Sequence, residues 1–240
     1  FNKTYDLIKN AKLVFAHSST SVGYAVILKK KLVFLNSSLM FNLSMFSQIL
    51  SFSIETKGKH IFFDKIKSEN VVVVDTRKPS DYCNEHIPGS IFIGLSGRFA
   101  PWVGEILKDI NQEIILIVEN GKEEEAITRL SRVGFDNCIG YLDSGIESWK
   151  SAGYSTENIR SIDPGQFVNE FSQNSQIIDV REKSELINGK FKFSKNIPLS
   201  KIDSNKKLDK NMTSYVYCAG GYRSVIACSL LKRDKFKKTC

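Results

Sequence analysis

The segment Cys218-Ala-Gly-Gly-Tyr-Arg-Ser224 brings a thiol, two glycines and an arginine into one short loop. Its glycines let successive backbone N–H groups turn toward one point, and the helix predicted to follow adds its positive end. Arg223 adds a permanent cation. All three features favour the thiolate form of Cys218 and an anion beside it. We therefore predict that Cys218 and Arg223 are catalytic and that the other loop residues bind the substrate: Ala219, Gly220, Gly221, Tyr222 and Ser224.

The elements on either side explain how such a loop would be held. Tyr215–Tyr217 is apolar and β-prone, and Ser224–Lys232 has the pattern of a buried helix. The alternative for a lone cysteine is a buried structural thiol, which we expect for Cys83, Cys138 and Cys228. Five cysteines with irregular spacing and no CxxC motif argue against a disulfide framework or a metal site. We therefore expect reduced thiols, a cytoplasmic protein, and chemistry that needs no cofactor.

After about residue 58, the sequence contains two copies of one pattern. Val71–Asp81 matches Gln176–Glu185, and Glu113–Val118 matches Thr213–Tyr217. Each copy has the pattern of a short apolar strand, an acidic turn, a second strand, a third strand and a helix. Short strands that alternate with helices indicate parallel α/β units. The pattern predicts two three-layer α/β/α domains with parallel central sheets, which we place at residues 59–158 and 159–240.

Residues 1–58 do not take part in the repeat. Leu13–Ala16, Ser19–Leu28 and Leu32–Leu35 predict a strand, a helix and a strand, which is one β–α–β segment. Leu39–Ile54 is then an amphipathic helix or a loose apolar segment. The β–α–β segment weakly resembles the nucleotide-sugar half of surface-polysaccharide glycosyltransferases.

Net charge and hydropathy limit the partners. The net charge of +8 comes largely from polar runs such as Lys190–Lys195 and Lys201–Lys210, which are typical of solvated loops. We therefore predict no nucleic-acid partner. No apolar run is long enough for a membrane helix, so we predict no membrane partner. The chain starts at Phe1 rather than Met, and we expect it to be a fragment.

Several motifs resemble the rhodanese-like sulfurtransferases. Asp75-Thr-Arg77, His86-Ile-Pro-Gly-Ser90 and Gly145…Trp149 match in the first copy, and Asp179-Val-Arg181 and the Cys218 loop match in the second. The combination is similar to the paired rhodanese modules behind a metallo-β-lactamase-like domain in bacterial persulfide-dioxygenase-like fusions. The resemblance implies such a domain as an upstream partner. The metal-binding H-x-H-x-D-H signature is absent from this sequence, so no metal is expected here.

The resemblance also implies a mechanism. The Cys218 thiolate would take the outer sulfur of thiosulfate or a small persulfide and pass it to a thiol acceptor. Arg223 would bind the donor or steady the developing charge. For Asp179 and Arg181, at the neighbouring strand end, we favour a structural ion pair.

The two copies depart from the family pattern in different ways. The first has Glu119 at the cysteine position, in a loop that our alignment makes two residues shorter and that is acidic, so we expect this copy to be inactive. The second has Asn188–Asn196 in place of the H-I-P-G turn. It also ends before any counterpart of Asn137–Leu142 and Ser144–Gly153, so we expect a truncated domain whose sheet loses a strand or exposes an edge.

Two other functions remain open. Cysteine phosphatases also place a cysteine and an arginine on one loop, but they have one residue more between them than Ala219–Tyr222 provides. The smaller ring suits a sulfur-sized group. The second alternative is a non-enzymatic sulfur-sensing or interaction module. Uptake of sulfur by Cys218 would separate these possibilities.

Overall fold

The computed structural model describes residues 13–16, 31–34, 66, 71–203, 208–236 and 238–240. The main body contains two four-stranded parallel sheets, in the orders β4-β3-β5-β6 and β8-β7-β9-β10. The strands of the first sheet are β3 (Val71–Asp75), β4 (Ile91–Phe92), β5 (Glu113–Ile117) and β6 (Cys138–Tyr141). Those of the second are β7 (Ser175–Asp179), β8 (Lys195–Asn196), β9 (Thr213–Tyr217) and β10 (Lys238–Thr239). The shared order confirms the predicted repeat and the parallel α/β fold.

Two further strands precede these sheets. β1 (Leu13–Ala16) and β2 (Lys31–Phe34) pair in parallel, as expected for the two ends of a β–α–β segment. The predicted helix at Ser19–Leu28 and the segment Leu39–Ile54 lie outside the described residues.

Helices cover both faces of the first sheet. They are α1 (Pro79–Asn84), α2 (Phe99–Ile106), α3 (Glu123–Ser131) and α4 (Gly145–Ser151). Because side chains alternate along a strand, Val72 and Val74 join one buried cluster while Val71 and Val73 join another, beneath Trp149 of α4. This burial on both faces explains why the strand is a continuous valine run rather than an alternating one.

The second sheet is also covered on both faces. α5 (Pro164–Glu170) packs Phe167 against Tyr215 of β9, and α6 (Tyr222–Arg233) buries Ile226 and Leu230 in the larger cluster. Two short 3-10 turns, Lys183–Asn188 and Leu199–Lys201, flank β8. Of the two outcomes expected for this sheet, a lost strand or an exposed edge, the first is not observed. β10 pairs with β9 as β6 pairs with β5, although it is only two residues long.

The two repeats share one hydrophobic core through α6. The Phe92 N–H of β4 donates to Ser229 Oγ at 3.1 Å, and Tyr222 Oη donates to the Gly94 carbonyl at 2.6 Å. Gly97 makes this approach possible, because a Cβ there would lie 2.5 Å from a Tyr222 ring carbon. The helix that follows the Cys218 loop is therefore anchored on the first repeat.

Candidate active site

Cys218 lies at the end of β9, in the turn that leads into α6. Gly221 has φ of 84°, a left-handed conformation that favours glycine, and its N–H donates to Cys218 Sγ at 3.1 Å. Ser224 Oγ is 3.7 Å from the same sulfur and donates to the Gly221 carbonyl at 2.7 Å. The predicted residues Gly221 and Ser224 thus converge on Cys218. Ala219 and Gly220 are exposed at the tip of the turn.

Arg223 faces Glu185, a residue that the sequence analysis did not select. Its two terminal nitrogens donate to the two carboxylate oxygens at 2.6 and 2.7 Å. This bidentate pair holds the pKa of Glu185 down at about 2, with a further contribution from the Glu182 N–H at 2.9 Å. The expected cation at the rim is present, but a carboxylate is bound to it.

The Tyr222 side chain turns away from the cysteine. Its hydroxyl is hydrogen-bonded to Gly94 in the first repeat, and its ring packs edge-on against Phe92 with centroids 5.5 Å apart. Burial raises the pKa of the Tyr222 hydroxyl. The side chain was predicted to bind substrate, whereas its observed contacts join the two repeats. Local sequence patterns cannot predict this contact, because Gly94 is far away along the chain.

A cavity of about 280 Å³ opens beside Cys218. Its walls come from the segment around Ile159–Pro164, from α5, from β9 and from α6. The lining includes the aromatic side chains of Phe167, Phe191 and Tyr215. Three further cysteines also line it: Cys83, Cys228 and Cys240. A small organic group could enter this space.

The aspartate–arginine pairs are structural, as expected for Asp179 and Arg181. Arg181 Nε and Nη2 donate to the Asp179 carboxylate at 2.9 and 2.7 Å, and Arg181 also reaches the Gly189 carbonyl. Tyr217 Oη donates to Asp179 at 2.7 Å. Asp75 and Arg77 repeat the arrangement in the first copy. The Tyr217–Asp179 hydrogen bond ties β9 to β7 just before Cys218, and so helps to fix the start of the loop.

The first copy has no thiol at the equivalent position. Asp75 pairs with Ile117 as Asp179 pairs with Tyr217, so the strand register aligns Val118, rather than Glu119, with Cys218. From there to the equivalent leucines of α3 and α6, the first copy is one residue shorter, not two. The Gly121 N–H donates to the Glu123 carboxylate at 3.1 Å, so this loop amide is directed to a side chain of its own helix.

None of the described helices is long and apolar enough to cross a membrane. Within the described part of the chain, histidine, cysteine and acidic side chains form no group of three or more that could hold a metal ion. The five cysteines are all free thiols.

A family model described as Rhodanese-like domain matches residues 60–152 and 163–240. The chain belongs to the rhodanese-like family. The two matches fall on the two repeats and include the Cys218 loop in the second. Neither the predicted upstream metallo-β-lactamase-like domain nor the glycosyltransferase resemblance of residues 1–58 is addressed by these matches, and both stay predictions.

Two curated relatives are similar over one rhodanese-sized stretch. Thiosulfate sulfurtransferase GlpE of Pseudoalteromonas translucida is 31% identical over 88 residues, which cover 36% of this chain and 80% of that protein. The uncharacterized protein YibN of Escherichia coli K12 is 33% identical over 85 residues, which cover 35% of this chain and 59% of that protein.

Solved rhodanese structures are more distant in sequence. A thiosulfate sulfurtransferase from Pseudomonas aeruginosa has 18% identity and a TM-score of 0.35, over 65% of this chain and 34% of that one. The 3-mercaptopyruvate sulfotransferase SseA from Escherichia coli has 14% identity and a TM-score of 0.34, over 75% of this chain and 94% of that one.

Proposed function

We propose that this protein is a sulfurtransferase whose Cys218 carries sulfur as a persulfide. The observation that supports this most is the contact between the Gly221 N–H and Cys218 Sγ at 3.1 Å, at the point where β9 gives way to α6. A sulfur anion at this position is stabilised by a backbone donor and by the positive end of a twelve-residue helix. Membership of the rhodanese-like family and the similarity to GlpE support the same chemistry.

The proposed reaction has two steps that share one intermediate. The Cys218 thiolate attacks the outer, sulfane sulfur of a donor such as thiosulfate. The S–S bond of the donor breaks, its electron pair leaves with sulfite, and a Cys218 persulfide forms. An acceptor thiolate then attacks the terminal sulfur of that persulfide, which regenerates the Cys218 thiolate and yields the acceptor persulfide. No external oxidant, cofactor or metal ion is required, and the kinetics are ping-pong.

The loop residues have separate roles in this proposal. Gly221 donates its N–H to the sulfur, and the small residues Ala219 and Gly220 leave the tip of the turn open to the donor. Ser224 lies beside the sulfur and steadies the Gly221 carbonyl. Arg223 would bind an oxygen of the donor when its contact with Glu185 loosens. The acceptor thiol would place its organic part in the adjoining cavity.

We also propose that only the second repeat transfers sulfur and that the first is inactive. Its equivalent position is a valine, and three glutamates occupy the first turn of the following helix. Free cysteines throughout the chain support a reducing location such as the cytoplasm.

The experiment is a sulfur-transfer assay on the full chain. Thiosulfate is the donor, dithiothreitol is the acceptor, and released sulfide is measured. We expect turnover in the wild-type protein and in the control Cys138→Ala, whose thiol does not line the cavity, and none in Cys218→Ser. Equal turnover in Cys218→Ser would overturn the proposal. Phosphate release from p-nitrophenyl phosphate, abolished by the same substitution, would favour the phosphatase alternative instead. A Cys218 that takes up sulfur without turnover would indicate a sensing module.

A further inference from the structure

Three arginines lie near the Cys218 loop or its cavity, and each binds a carboxylate through two nitrogens. Arg223 binds Glu185, and Arg181 binds Asp179. Arg160, which lines the cavity beside Cys218, binds Glu170 with both contacts at 2.6 Å. In a bidentate pair, the carboxylate occupies the two guanidinium N–H donors that a sulfonate-like group would otherwise bind. The positive charge near the nucleophile is therefore largely compensated within the protein.

The Glu185–Arg223 pair matters most, because both residues lie at the mouth of the loop that holds the nucleophile. Glu185 sits in the 3-10 turn Lys183–Asn188 and forms a capping box with Glu182, so two backbone contacts fix its position. Arg223 adjoins Ser224, which touches the Cys218 sulfur. An approaching dianion would have to displace Glu185 from Arg223 and would also be repelled by the Glu185 charge.

The other wall of the site is apolar. Phe167, Phe191 and Tyr215 line the cavity beside Cys218. Their rings pack on one another, with Phe167–Tyr215 centroids 5.1 Å apart and Phe167–Phe191 centroids 5.6 Å apart. Burial of an organic substituent of the donor against this wall is favourable, whereas an inorganic dianion has no apolar surface to bury there.

We propose that Glu185 is a specificity-determining residue that selects against dianionic donors such as thiosulfate. The site then favours sulfane-sulfur donors of lower charge with an apolar organic group, the class that contains organic persulfides and thiosulfonates. This inference rests on the proposed sulfurtransferase function. In each case the donor S–S bond breaks, Cys218 gains the sulfane sulfur, and the electron pair leaves with the thiolate or sulfinate of the donor.

The test compares kcat/KM of the full chain for thiosulfate and for the methanethiosulfonate monoanion at low ionic strength. Glu185→Gln removes one charge while keeping the size of the side chain and an oxygen that can accept from Arg223. We expect this substitution to raise kcat/KM for thiosulfate by about tenfold and that for methanethiosulfonate by about threefold or less. Glu182→Gln is the matched control, because it removes the same charge from the same turn without a hydrogen bond to Arg223, and its donor ratio should change less than that of Glu185→Gln.

A decrease in kcat/KM for both donors in Glu185→Gln would overturn the inference, because Glu185 would then only position Arg223. An unchanged donor ratio would overturn it as well. If neither donor loads wild-type Cys218, the proposed function itself fails, which is a distinct result. Should Glu185→Gln fail to fold, the wild-type protein still gives a test. The reference is the uncatalysed reaction of free glutathione with the same two donors. The ratio of kcat/KM for methanethiosulfonate to kcat/KM for thiosulfate must then exceed the corresponding ratio of rate constants for glutathione.

Discussion

At the scale of single residues, the cysteines differ by their surroundings. Burial raises the pKa of Cys138 to about 12 and also raises the pKa of Cys228 and, with less burial, of Cys83. Cys218 is only partly buried and accepts an N–H from Gly221. We therefore predict that iodoacetamide at about pH 8 labels Cys218 well before Cys138 and Cys228. Peptide mapping by mass spectrometry against time measures this order, and labelling of all three at one rate would contradict it.

His86 gives a prediction about pH. It is buried, its Nδ1 donates to the Tyr82 carbonyl at 2.8 Å, and burial lowers its pKa to about 4. Between about pH 6.5 and pH 4 the unfolded chain binds a proton that folded His86 does not, so the free energy of unfolding falls as pH falls. His86→Asn keeps a donor toward Tyr82 and does not titrate.

Urea unfolding at about pH 7 and pH 5 measures the effect of His86. Wild-type protein should lose about 1–2 kcal/mol more than His86→Asn between these two pH values. The same loss in both proteins would show that other groups carry the pH dependence.

At the scale of elements, the strand–turn–helix units of the two repeats have the same strand register but different residues in the loop. Val118 occupies the position of Cys218, while Gly121 and Glu123 of the first copy are hydrogen-bonded to each other. We predict that Val118→Cys combined with Cys218→Ser takes up no sulfur from thiosulfate, because the acidic helix start repels the donor. The sulfide-release assay measures this. Turnover above that of Cys218→Ser alone would show that a thiol suffices to revive the first copy.

Local sequence was enough for the elements that carry strong patterns. The Val71–Val74 run and the Gly-Gly turn after Cys218 each specify their backbone through residues next to one another. The same local view could not show Glu185 on Arg223 or Tyr222 on Gly94, because these contacts join distant parts of the chain. It also misaligned Glu119 with Cys218, since only the strand ladder fixes which residue follows the last paired one.

At the scale of the whole molecule, the two repeats are predicted to unfold together. Their shared core includes Ile226 and Leu230 of α6, together with Phe92 of the first sheet. Both tryptophans, Trp102 and Trp149, lie in the first repeat, so their fluorescence reports its unfolding. Reactivity of the buried Cys228 reports the second. We expect the two signals to change at the same urea concentration, and earlier exposure of Cys228 would contradict a common transition.

The contact between the repeats should contribute measurably to this stability. Tyr222→Phe removes the 2.6 Å hydrogen bond to the Gly94 carbonyl and leaves that oxygen with only the longer contact from the Gly97 N–H, at 3.4 Å. We predict that it lowers the free energy of unfolding by about 1 kcal/mol. Urea unfolding followed by tryptophan fluorescence and by Cys228 reactivity should give the same loss. A loss seen by the cysteine signal alone would mean that the repeats are not coupled through α6.

The central claim is that Cys218 carries the transferred sulfur, and intact-mass spectrometry tests it most directly. The full chain is incubated with thiosulfate or methanethiosulfonate, desalted, and measured before and after reduction with dithiothreitol. We predict a gain of one sulfur atom that maps to the Cys218 peptide, disappears on reduction, and is absent from Cys218→Ser. A sulfur atom retained by Cys218→Ser, or no gain with either donor, would contradict the account.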